Sequence, residues 1–146
     1  VRKIVSEDEG IKKLYFYHKR SALNTLSKKL VDLRTSKPSK IIEEKSTTLN
    51  KIIENSPYKN SKINLLSIDI ENHEFEALKN FNFPKYKVDA LIVEITDTNI
   101  KKLEMYNQSL DFITKSSVYK LIVQNNYKLV NLIHSDMVFV KNDFGN

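Results

Sequence analysis

"INLLSIDIENHEFEAL", residues 63 to 78, sets an apolar run directly against a cluster of titratable side chains. Its first half, INLLSIDI at 63–70, reads as a short buried strand. Asp69, Glu71, His73 and Glu74 crowd its exit, and a helix is expected over residues 73–80 with Phe75, Leu78 and Phe81 on one face. A second nearly all-apolar run, VDALIVEI at 88–95, also carries an acid near its end, Glu94. Two strands apolar on both faces, each followed by a helical pattern, predict a parallel sheet covered on both sides. In open α/β sheets ligands bind outside the carboxyl ends of the strands. DIENHE (69–74) and EITDT (94–98) are therefore expected to share one rim.

Acids at a strand-to-helix junction have a second, structural use. They cap helices and complement the helix dipole. On that ground Glu74 and Glu76 read as capping or surface residues, while Asp69 and Glu71 suit either role equally. His73 has the pKa range of a general base, yet a lone histidine in a helix's first turn is more often a solvated surface residue.

Working outward, KKLYFYH (12–18) reads as a strand. SALNTLSKKLVDL (21–33) has helical spacing in Leu23, Leu26, Leu30 and Leu33. A short strand is expected at 41–46. A short helix follows, with Thr48 as its N-cap and Pro57 as its stop. Beyond residue 97 the pattern is mainly helical over 98–124, with Leu110, Ile113, Val118, Leu121 and Ile122 as core candidates. YKLVNLI (127–133) and MVFVK (137–141) close the chain as an antiparallel hairpin.

Length and composition narrow the classes. At 146 residues the chain is one domain with room for a core. With no cysteine it has neither disulfides nor thiolate metal sites. No apolar stretch approaches the ~18 residues of a membrane span, and the opening VRKIVSEDEG turns acidic after five positions, unlike a secretory leader. The default expectation is a cytoplasmic protein. The net charge is +6, but all basic residues except Arg2, Arg20 and Arg34 are lysines, scattered among 18 acids. Scattered lysine reads as solvated surface, and no nucleic-acid partner is expected. Acid count alone would permit a metal, but no ligand spacing supports one, so none is expected.

The stretch TTLNKIIENSPYKNSKINLLSIDIENHEFEALKNFNFPKYKVDALIVEI resembles the C-terminal part of the FkbM-type methyltransferases. The resemblance rests on Thr48–Leu49–Asn50, on Leu66–Ser67–Ile68–Asp69–Ile70–Glu71–Asn72–His73–Glu74, and on the strand ending in Glu94. VSEDEGIKKLYFY upstream and NNYKLVNLIHSDMVFVKN downstream extend it over nearly the whole chain. Asn72 and Asn126 stand where the family has glycine. Asparagine is the next best residue at φ > 0. Asn50 replaces an expected Asp.

The resemblance implies a Rossmann-like class I methyltransferase sheet, mostly parallel with a terminal antiparallel hairpin. It also implies the cofactor S-adenosylmethionine and methyl transfer to a hydroxyl oxygen of a small molecule or saccharide. Asp69, Glu71 and His73 become the catalytic candidates, Asp69 also facing the cofactor, and Glu94 the substrate-binding candidate. The Gly-rich loop that such enzymes use to approach the cofactor is not in this sequence, whose only glycines are Gly10 and Gly145. Residues 1–146 are therefore expected to be the C-terminal part of the domain, a fragment inactive by itself. The alternative is a non-catalytic binding module that lost the cofactor loop.

Overall fold

The computed structural model describes residues 3–19, 21–97 and 108–145. Two mixed sheets organise them. The larger has strand order β4 (Leu65–Ile68), β5 (Ala90–Glu94), β7 (Asp136–Lys141), β6 (Tyr127–Ile133). The smaller has β1 (Ile4–Val5), β3 (Lys40–Thr47), β2 (Gly10–Phe16).

The expected pairing of the two apolar runs is present: β4 and β5 are parallel, with Leu66 opposite Leu91 and Ile68 opposite Val93. The closing hairpin joins the same sheet, β7 running antiparallel to β5. The expectation of a mostly parallel sheet fails. Among the described residues only β4–β5 and β1–β3 pair in parallel, and the other strand pairings are antiparallel. Parallel neighbours need a crossover, and the β4-to-β5 connection supplies one through two short helices, α3 (Glu74–Leu78) and α4 (Phe83–Tyr86). β6 and β7 are joined by a tight turn, with His134 at φ 58°, and a tight turn can only reverse the chain.

The core lies on one face of the larger sheet. Leu91 and Val93 of β5 and Met137 and Phe139 of β7 are fully buried against Leu78, Ile113 and Ile122. β4 is less enclosed than its composition predicts. Ile68 is buried, but Leu65 is 53% exposed, because β4 forms an edge of the sheet among the described residues.

Two helices differ from expectation for local reasons. The helix expected at 21–33 is only α1 (Lys28–Leu33). Thr25 instead exchanges backbone hydrogen bonds with Tyr15, and the Asn24 side chain accepts one from the Tyr17 N–H at 2.8 Å. Ser27 then caps α1 by accepting from the Leu30 N–H. Short polar side chains that compete for the backbone override the leucine spacing. Of the helical stretch 98–124, residues 98–107 lie outside the described residues. The rest is two helices, α5 (Leu110–Lys115) and α6 (Ser117–Gln124), each capped by the serine before it. Ile113 and Ile122 are core as expected, whereas Leu110 is 62% exposed.

Between β3 and β4, α2 (Leu49–Glu54) is capped by Thr48 as expected. Asn50 has a definite job. Its amide donates to the Asn80 carbonyl at 2.8 Å and its oxygen accepts from the Asn82 N–H at 3.0 Å. An aspartate could make only the second of these bonds.

Candidate active site

Because β4 and β5 run in parallel, their carboxyl ends share one rim. Asp69 follows β4 and Glu94 ends β5. Glu74, on the first position of α3, points back toward them. Carboxylate oxygens of Asp69, Glu74 and Glu94 lie within 4.8 Å of one another. That spacing would suit a bridging cation, but one Glu74 oxygen is already engaged by the backbone.

The turn between β4 and α3 is unusual. Glu71 and Asn72 are both left-handed, at φ 57° and 68°. Asn72 and Asn126, also at φ 68°, thus occupy the positive-φ positions expected of them. A left-handed non-glycine residue costs roughly 1–2 kcal/mol, so other contacts must hold the turn. Glu74 Oε1 accepts from the Ile70 N–H at 3.0 Å and the Asn72 N–H at 3.2 Å. The Thr25 hydroxyl donates to the Glu71 carbonyl at 2.7 Å. The Arg34 guanidinium pairs with the Glu71 carboxylate, and the Asn72 amide donates to Ser27 at 3.4 Å. The non-helical stretch before α1 is what delivers these partners.

His73 sits at the N-cap of α3 but makes no side-chain cap bond. Its side chain is largely buried and lies 2.9 Å from the Ser6 hydroxyl. Ser6 donates its own proton to Glu7, so His73 Nε2–H is the donor to Ser6. Nδ1 then faces Glu76 at 3.7 Å. A cavity of about 340 Å³ adjoins Asp69, Glu71 and His73, with largely apolar walls that include Ile4, Leu14 and Leu26.

Electrostatics follows from burial. Glu94 is pushed up to about 8, first by burial and then by the neighbouring Asp69. Glu74 is pushed up to about 7 by burial, against its backbone hydrogen bonds. Burial also raises Glu71, opposed by Arg34. His73 is lowered by burial, opposed by Glu76 and Glu7, which favours neutral imidazole. Ser135 donates to Glu94 Oε1 at 3.2 Å.

These raised values make a pH prediction. The ordinary glutamate value is 4.5, so between that and about 8 the folded protein keeps a proton on Glu94 that the unfolded chain releases. The associated stability is complete below pH 4.5 and is lost as pH rises through about 8. Glu94→Gln cannot ionise. Its melting temperature relative to wild type should therefore move in its favour by a few degrees between pH 5 and pH 8, Glu94 being only half-buried. Thermal melts at both pH values test this; a constant difference would contradict it.

All four residues expected at the site, Asp69, Glu71, His73 and Glu94, lie at this rim or against its cavity. Glu74, by its position a cap or surface residue, is instead buried and accepts from the Ile70 and Asn72 N–H groups of the turn. Arg34, Ser6 and Thr25 were not anticipated. Arg34 had one available signal, as one of three arginines among many lysines. Guanidinium suits a partly buried ion pair better than ammonium does.

The sequence pattern of the methyltransferase FkbM domain matches residues 2–121. No curated protein and no solved structure matches the chain. The match spans most of the chain, including the β4–α3 turn and β5, and the chain belongs to the FkbM methyltransferase domain family.

Proposed function

We propose that this rim is the acceptor side of an S-adenosylmethionine-dependent methyltransferase that methylates a hydroxyl oxygen. The observation that carries the reading is the carboxyl pair Asp69–Glu94, within 4.8 Å of one another, with Asp69 lining the cavity and Glu94 pushed up to about 8. Membership of the family supports a methyltransferase; the rest is inference from the residues.

S-adenosylmethionine, when bound, supplies an electrophilic methyl group on a positively charged sulfur. The carboxylates fit that charge, and Asp69 is the residue assigned to face it. None of the described residues is assigned to the nucleotide end. Near neutral pH Glu94, raised by burial and by the neighbouring Asp69, holds its proton and can donate a hydrogen bond. Asp69 accepts the acceptor's hydroxyl proton as the oxygen becomes nucleophilic, and Glu94 orients the acceptor. Glu71 is committed to Arg34 and His73 to Ser6, so both hold the turn that positions Asp69.

The test is methyl transfer by the protein expressed from its native reading frame, whatever its extent. S-adenosylhomocysteine release is measured against a panel of small alcohols and saccharides. The expected result is acceptor-dependent release, with the label on oxygen. Label on nitrogen or carbon would overturn the hydroxyl assignment. Absence of transfer to any acceptor would favour a binding module. Calorimetry on residues 1–146 alone should show no micromolar binding of S-adenosylmethionine, since no Gly-rich loop is present in this sequence. Micromolar binding would place the cofactor site within these residues.

A further inference from the structure

The end of the larger sheet opposite the acidic rim is basic. Lys59 and Lys62 lie in the loop entering β4, Lys85 and Lys87 lie just before β5, and Lys141 ends β7, which is antiparallel to β5. Two adjoining hollows of about 670 Å³ and about 460 Å³ open there and share Lys87 and Lys141. The larger is lined by Gln124, Asn125, Asn126 and Asn142, whose side chains carry amide donors, the Asn125 amide already giving one bond to the Leu121 carbonyl at 2.8 Å, and by Asp143. Among the described residues Lys62, Lys85 and Lys141 are ion-paired, with Asp89, Glu54 and Asp143, whereas Lys59 and Lys87 have no carboxylate in reach. Two aromatic side chains stand out near this rim: Tyr58, next to Lys59, is 73% exposed, and Phe144, three residues beyond Lys141, is 55% exposed.

We propose that this lysine rim, with Tyr58 and Phe144, is a peripheral docking surface for anionic phospholipid bilayers. Lysines near an anionic bilayer are attracted as point charges, and aromatic rings insert at headgroup level. The same charges could serve a nucleic-acid strand, but the groove lacks what that needs. It contains no arginine, and its inner aromatic ring is taken. Tyr86 stacks on Phe81 at 5.2 Å and carries the Lys85 ammonium 5.1 Å from its centroid, so it offers a base no free face inside the groove, and the exposed rings of Tyr58 and Phe144 lie at its margin. The polarity of the domain also fits. The acidic rim lies a strand length away, roughly 16 Å for five residues, beyond a Debye length of about 8 Å. Docking by the lysine end leaves the carboxylates facing away from the negative membrane. No helix among the described residues is long and apolar enough to cross a membrane, so attachment would be peripheral.

The experiment is co-sedimentation of the 146-residue chain with vesicles of phosphatidylcholine alone or with about one-third phosphatidylserine at near-physiological salt. A single-stranded oligonucleotide titration is run alongside. The expected result is sedimentation with the anionic vesicles only. It should fall at least ~30-fold in the Lys59→Glu/Lys87→Gln variant, a change of three charges. Lys87 already sits at φ 46°, so glutamine there introduces no new backbone strain. Phe144→Ser, on an exposed residue, should weaken binding ~5-fold while leaving its salt dependence intact. Equal sedimentation with neutral vesicles, no sedimentation, unchanged binding by either variant, or tighter binding to the oligonucleotide would each overturn the proposal.

Discussion

Asp69→Asn is expected to cut methyl transfer by ~10²- to 10³-fold while leaving the fold intact. Asn is nearly isosteric, and Asp69 is exposed just past the end of an edge strand, so packing should survive. What is lost is the negative charge proposed to accept the acceptor's proton and to face the methyl donor. Removing one preorganised electrostatic contact costs about 3–4 kcal/mol in the barrier, which is that range of rate. The bland alternative gives Asp69 a purely structural role. The melting temperature would then fall and the turnover of the folded fraction would stand. Measuring kcat and the melting curve on one preparation separates the two. A near-normal kcat would remove Asp69 as the base. Glu94 offers an internal check. With Asp69 neutral, its second source of upward pressure is gone, so its titration should move down toward the ordinary range.

The parallel pair and the closing hairpin were legible because their signals are local and strong. Leu91 and Val93 alternate with Ile92, a run no surface strand would carry, and a three-residue gap between YKLVNLI and MVFVK allows little but a reversal. The rim followed from the pair, since two parallel strands must end on one side. What the sequence hid depends on residues distant along the chain. Glu71 is 37 residues from the arginine that neutralises it, and His73 is 67 residues from Ser6. Nothing in the spacing of EDEG or RTSK announces those meetings. The lysines show the same effect on a larger scale. Scattered from Lys59 to Lys141, they read as diffuse surface, and only the sheet topology gathers five of them at one end. The failure at 21–27 is of another kind. There a leucine repeat of helical period competes with Asn24, Thr25 and Ser27 for the backbone, and the polar side chains prevail.

Glu74→Ala should have the largest effect on stability. Glu74 is only 3% exposed, and one of its oxygens accepts both the Ile70 and Asn72 N–H groups. Alanine leaves those two donors without that acceptor, at about 1–3 kcal/mol for each one left unsatisfied. The left-handed pair Glu71–Asn72 loses one of the contacts that offset its backbone cost. A loss of about 3–4 kcal/mol is expected, or roughly 10 °C in melting temperature for a chain of this size. Glu74→Gln provides the contrast. Its side-chain carbonyl can still accept both N–H groups, and near neutral pH it replaces a carboxyl already pushed up to about 7, so its cost should stay below about 1 kcal/mol. Hydrogen exchange locates the effect. The amides of Ile70 and Asn72 should lose protection in the alanine variant before the β5 and β7 amides do. Equal destabilisation by alanine and glutamine would mean that Glu74 does not hold the turn through its oxygen. If the account holds, the link to activity is direct. The turn that Glu74 braces begins one residue after Asp69, and a fraying turn would cost transfer rate in proportion to the time Asp69 spends out of place.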